Sequence, residues 1–172
     1  MSPNQLWAPW RTRYVTAPKS GECVFCAALA ASEASERAGG DLLLERAESC
    51  FSLLNAFPYA AGHLMIAPYR HTGDMLELTL EEEADVMLLA RRAVRALEQL
   101  MAPAGFNLGL NLGEPAGAGF AGHLHLHVVP RWNGDTNFMP VLADTNVISA
   151  SLDATAEAIR EKLGEIAGRP GR

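Results

Sequence analysis

Apolar residues along the chain recur at two spacings. One is near 3.6, as a helix face requires, and the other is two, as a strand requires. An alanine-rich stretch predicts a helix over about 25–34. Residues 41–46 and 49–54 read as strands joined by a tight turn at Ala47-Glu48, and 63–68 as a third strand. The segment 55–62 between them has the Pro and Gly content of a loop. Thr79-Leu80-Glu81-Glu82 has the spacing of a capping box and opens the longest helix, about 80–101. Val86, Leu89, Ala93, Leu97 and Leu100 form its apolar stripe, with Arg91, Arg92 and Arg95 on the solvated side. Pro103 and Gly105 end it. Residues 106–112 alternate like a strand, and 113–119 form a glycine-rich loop. A last helix over about 152–167 carries a buried seam of Ala156, Ile159, Leu163 and Ile166, and Gly168 stops it. Residues 1–20 read as an irregular arm. Its Trp7, Trp10 and Tyr14 are expected to cover a core edge or a subunit interface. No repeat or linker divides the chain, so 1–172 reads as one domain, with 150–172 its C-terminal helix and tail.

The strongest period-two signal follows the glycine loop. His123, His125 and His127 alternate with Leu124, Leu126 and Val128. On a strand the three imidazoles share one face, about 6.6 Å apart, and the aliphatic residues point to the core. The chain has only five histidines. Three titratable rings in succession serve no packing need, so this stretch is the first candidate for chemistry.

Composition narrows the choice. The chain is 49% hydrophobic and 20% charged, with a net charge of −6. That balance, with no basic run beyond Arg91-Arg92, argues against broad nucleic-acid binding but leaves room for a local anion site. No apolar run approaches the roughly 18 residues of a membrane span. The N-terminus lacks a signal-peptide pattern, and the three cysteines suit a reducing compartment, so a cytoplasmic protein is expected.

Cys23-Val24-Phe25-Cys26 places two thiols for one tetrahedral zinc, and a redox pair uses the same spacing. Three histidines along a flat strand span about 13 Å. That is too far for all three to reach one zinc at about 2.0–2.1 Å, so a triad-only site needs outside ligands. Nucleophilic catalysis uses more of what is present. An imidazole nitrogen attacks phosphorus once its partner nitrogen is held by an acceptor. The central His125 is the candidate nucleophile, with His127 as donor to phosphate or leaving oxygens. The loop through Gly113, Gly117, Ala118 and Gly119 would offer backbone donors to an anion. It is neither a Walker loop, having no Gly-Lys-Ser/Thr, nor a dinucleotide fingerprint, since a strand follows it. Asn55 could meet a ligand or cap its own turn, and Trp132 could cover a base or seal the core. His63 reads as a structural hydrogen-bonding residue and Cys50 as a small core residue.

These motifs together resemble the histidine-triad (HIT) family. Leu6-Trp7-Ala8-Pro9-Trp10-Arg11, the Cys-x-x-Cys, Asn55-x-Phe57-Pro58-Tyr59-x-x-Gly62-His63 and His123-x-His125-x-His127-Val128-Val129-Pro130-Arg131-Trp132 occur in that order. They look most like the bacterial branch that includes diadenosine tetraphosphate phosphorylases. The resemblance implies an α+β fold, a five-stranded antiparallel sheet with one long helix and a C-terminal helix, continued across a homodimer. It implies two-step cleavage at the α-phosphate of an adenosine nucleotide. His125 would form a nucleotidyl-histidine that water or inorganic phosphate then resolves. The His123 carbonyl would orient His125, and Asn55 would hold the ribose. Asn111 and Gly113 would face the phosphates. It further implies a structural zinc on Cys23, Cys26, His71 and His123. One departure stands out. Many relatives carry Gln-Ser or Gln-Thr before the triad, where this chain has Gly119-Phe120. A lost side-chain donor leaves three outcomes: the backbone N–H suffices, turnover is slow, or the substrate differs. Phosphoramidates and other adenylylated compounds, or nucleotide binding with little catalysis, are the alternatives.

Overall fold

The structure is a computed structural model that describes residues 22–33, 42–135 and 151–168. The aromatics of the N-terminal arm lie outside the described residues. Helix α1 spans Val24–Glu33. Strands β1 (Leu43–Arg46), β2 (Cys50–Leu54) and β3 (Leu64–Pro68) follow as an antiparallel meander. Helix α2 spans Leu80–Met101, then come β4 (Gly105–Leu110), β5 (Leu126–Arg131) and helix α3 (Leu152–Ala167). The five strands form one sheet in the order β1-β2-β3-β5-β4. Strand β5 pairs antiparallel with both neighbours, Leu64 opposite Val128 on one side and Gly109 opposite His127 on the other. The expected antiparallel α+β architecture is therefore present.

Alternation divides the sheet into two faces. Leu54, Leu64, Ile66, Leu126 and Val128 pack against Leu89, Ala93 and Leu97 of α2 and Ile159 and Leu163 of α3. Each such Leu, Ile or Val side chain, when fully buried, contributes about 1.5–3 kcal/mol relative to exposure. Helix α2 begins where its capping box predicts: Thr79 accepts from the Glu82 N–H, and the Glu82 carboxylate accepts from the Thr79 N–H. Its stripe differs in detail from expectation, with Ala90 and Ala96 buried and Leu100 exposed. The opposite face is covered at one end by α1, where Cys23 and Phe25 pack on Phe51, Leu53, Met65 and Ala67. His127 lies directly opposite Met65 on this second face.

The histidine stretch departs from a full strand. Ladder pairing begins only at Leu126, so His123 and His125 sit in an irregular lead-in, with a bend at His123. Proline explains the boundary. Pro68 ends β3 without an N–H to continue the ladder, and its carbonyl accepts from the His123 ring instead. Leu124 N–H goes to the Thr72 carbonyl at 2.7 Å.

Candidate active site

Each histidine of the site has partners that fix its proton. His125 Nδ1 lies 2.8 Å from the His123 carbonyl, which can only accept, so Nδ1 carries the hydrogen and Nε2 keeps a lone pair. His123 Nε2 lies 2.9 Å from the Pro68 carbonyl, so its Nδ1 is the bare nitrogen. His63 sits at the entry to β3. Its Nδ1 accepts from the Tyr59 N–H at 3.0 Å, which leaves Nε2 protonated. That Nε2 donates to His127 Nδ1 at 2.9 Å, so His127 carries its hydrogen on Nε2. The neighbouring rings of His125 and His127, with centroids 4.8 Å apart, thus present a bare nitrogen and an N–H. They are closer than the 6.6 Å of strand rise, because the rings lean toward each other beyond their backbone positions.

His123 turns elsewhere. Its Nδ1 lies 3.2 Å from Cys23 Sγ and 3.8 Å from Cys26 Sγ, and His71 Nδ1 lies 3.4 Å from Cys26 Sγ. All four donor atoms fall within 4.8 Å of one another. A tetrahedral zinc needs sulfur–nitrogen edges of about 3.6 Å, and these three sulfur–nitrogen distances bracket that value. The His123 Nε2–H to Pro68 bond is the kind of outer contact that orients a metal-ligating imidazole. Two thiols and two imidazoles, the full donor group among the described residues, have the composition of a closed, structural set. The loop carrying His71 is packed tightly on the segment before the triad: a Cβ on Gly73 would come within 2.3 Å of the Ala121 carbonyl oxygen.

A HIT-domain model matches residues 40–134. The AP-4-A phosphorylase of Mycobacterium tuberculosis is 37% identical over 157 residues, covering 88% of this chain and 80% of the relative. The chain belongs to the HIT family. The adenosine 5'-monophosphoramidase of Schizosaccharomyces pombe is 30% identical over 144 residues, covering 82% of this HIT chain and 98% of the relative. Among solved structures, a zinc-bound histidine-triad family protein from Mycobacterium smegmatis superposes with a TM-score of 0.65 at 27% identity. It matches 86% of this chain and 97% of its own.

Burial keeps the rings of this HIT site neutral. It pushes His63 down to about 3, with His127 and His125 adding to the shift, and His127 down to about 4, with His125 adding. His125 and His123 are also held below the usual imidazole range, again mainly by burial. A neutral His125 is the form that has a lone pair to give.

The remaining expected residues divide into those near the histidines and those elsewhere. Asn55 caps its own turn, its Oδ1 accepting from the Phe57 N–H at 2.9 Å, and its Nδ2 lies 3.4 Å from His63 Nδ1. The Asn111 amide lies 3.5 Å from both His127 Nε2 and the Gly117 carbonyl. In the glycine loop, Gly113 and Gly117 take positive φ values of 83° and 93° around a 3₁₀ turn, Glu114–Ala116. The Gly117 and Ala118 N–H groups close that turn, on the Glu114 and Gly113 carbonyls. The Gly119 N–H takes no part in these loop bonds. The Trp132 indole N–H donates to the Met101 carbonyl at the end of α2. Phe120 packs with the α1-side cluster and meets His71 edge-on at 6.2 Å. His63 is the residue whose place in the site was not foreseen. No helix among the described residues is long and apolar enough to cross a membrane.

Proposed function

We propose that this protein cleaves adenosine nucleotides at the α-phosphate, with dinucleoside polyphosphates such as diadenosine tetraphosphate as substrates, through a nucleotidyl-histidine on His125. The observation that carries the reading is the pair of fixed tautomers: a bare Nε2 on His125 beside an Nε2–H on His127. In the first step His125 Nε2 bonds to the α-phosphorus while the bond from phosphorus to the leaving oxygen breaks. A polyphosphate departs as an anion, so His127 stabilises it with a hydrogen bond and need not give up its proton. In the second step water or phosphate attacks the same phosphorus, the nitrogen–phosphorus bond breaks with its electron pair returning to His125 Nε2, and an attacking water releases its proton to solvent. Asn55 would hold the ribose. Asn111, Gly113 and the Gly117–Gly119 loop would face the phosphates, where Gly119 N–H replaces the missing side-chain donor. The preference for a dinucleotide leans on the likeness to the AP-4-A phosphorylase.

Cys23, Cys26, His71 and His123 would hold a zinc that supplies structure alone, pinning the start of the nucleophile's strand. The chain would act as one domain in a homodimer whose sheet continues through the edge strand β4. A second reading, nucleotide binding with slow turnover or cleavage of phosphoramidates, draws on Gly119-Phe120, which offers no amide or hydroxyl.

The test is product analysis with diadenosine tetraphosphate, with and without inorganic phosphate. ATP and ADP formed only with phosphate identify a phosphorylase, and AMP and ATP without it identify a hydrolase. His125→Ala should retain AMP binding and lose turnover. Undiminished turnover in that variant defeats the proposal, and no product from the wild type moves the reading to phosphoramidates or to binding alone.

A further inference from the structure

His125 is held along one edge by a single hydrogen bond. Its Nδ1–H reaches the His123 carbonyl, two residues back. The last side-chain torsion of histidine is soft. A twist about it tilts the ring plane, stretches the Nδ1–H bond to the carbonyl and carries Nε2 off the line of attack. One hydrogen bond of ordinary strength favours the held orientation by only roughly tenfold. Something else must restrain the ring, and the flat side chain of Phe25 lies against it.

Phe25 is fully buried, its centroid 4.7 Å from the His125 ring at an interplanar angle of 35°. The same phenyl ring lies 4.9 Å from the His123 ring at 36°. It therefore bridges the nucleophile and the residue whose carbonyl orients it. Phe25 also stands between Cys23 and Cys26, whose sulfurs face His123 and His71. The position of the phenyl ring is thus set by the start of α1 and by the thiol–imidazole cluster around it.

We propose that Phe25 is the positioning residue for His125: its ring is a wall that blocks rotation of the imidazole and keeps Nε2 aimed at the phosphorus. The proposal rests on the reading of His125 as nucleophile. It gives α1 a part in the reaction. A leucine at 25 fills much of the volume but offers no flat wall.

The experiment compares wild type, Phe25→Leu, Phe25→Met and His125→Ala as full chains. It measures kcat and KM with diadenosine tetraphosphate, unfolding temperature, bound zinc and the long-range proton–nitrogen spectrum of the histidine rings. Phe25→Leu should keep its fold and its metal content and leave KM within about threefold, while kcat falls about 10- to 100-fold. Its His125 signals should change from a single Nδ1–H tautomer to a mixture. Phe25→Met serves as the folded variant if the leucine protein proves unstable. A folded variant with wild-type kcat and one His125 tautomer overturns the proposal. So does a loss of kcat that only follows loss of metal or fold, since that is plain packing. If wild type shows no turnover, or His125→Ala retains it, the functional reading fails, and the ring spectrum still decides whether Phe25 orders His125.

Discussion

Four imidazoles around this site are each bonded to a group that leaves one choice of tautomer, and the order of the bonds matters. Tyr59 N–H to His63, and His63 to His127, form a one-way chain that ends in an N–H beside His125. His63→Leu breaks it. His127 is then free to carry its proton on either nitrogen, and kcat should fall by about 10²-fold. His63→Gln, which can still present an N–H donor to His127, should recover a part of that loss. Steady-state rates of the two variants at one pH check the pair, and equal losses would show that the donor on residue 63 is irrelevant. The period-two pattern made His125 and His127 legible from sequence alone. It could not show His63 as their partner, because the two residues lie 64 apart in sequence and meet only through the pairing of β3 with β5. Trp132 was ambiguous for a related reason. An indole near a site and an indole sealing a helix end look the same until the carbonyl of Met101 is seen beneath it.

At the scale of elements, three separate pieces of chain converge on the cluster of Cys23, Cys26, His71 and His123. They are the start of α1, the turn after β3 and the lead-in to β5. Zinc bound there would clip them together. Metal held at a hundred to a thousand times its Kd stabilises the fold by about 3–4 kcal/mol. Exhaustive chelation, or Cys26→Ser, should therefore lower the unfolding temperature and reduce bound zinc. Calorimetry with metal analysis measures both, and a melting curve unmoved by chelation would count against the clip. Long elements with local signals were readable: α2 runs over the residues its capping box and stripe predict. The start of β5 was not, since it depends on Pro68, a residue 58 positions before Leu126 and on another strand.

The whole molecule inherits an acid sensitivity from the site. In the unfolded chain His63 and His127 take up protons near pH 6.5. In the fold, burial lowers them to about 3 and about 4. Between those limits the unfolded state binds more protons, so stability falls as pH falls from 6.5 toward 4. Below that the Glu82 carboxylate, lowered mainly by its bond from Arg70, and Asp85, lowered mainly by Ser49 N–H, add to the loss in the same direction. Urea midpoints measured from pH 7 to 4.5 should decline, and less steeply in His63→Gln, where one titrating ring is gone. Identical slopes in the two proteins would mean that His63 is not buried as a neutral ring.

The sheet order also dictates when the chemistry can appear. The meander of β1, β2 and β3 and the pairing of β4 with β5 each join neighbours in sequence. The seam between β3 and β5 closes only across α2, a long-range contact of the kind that forms slowly. A chain could be helical, largely sheeted and compact with all its histidines present, and still lack an active site. The bond from His63 to His127 exists only where those two halves of the sheet have zipped together.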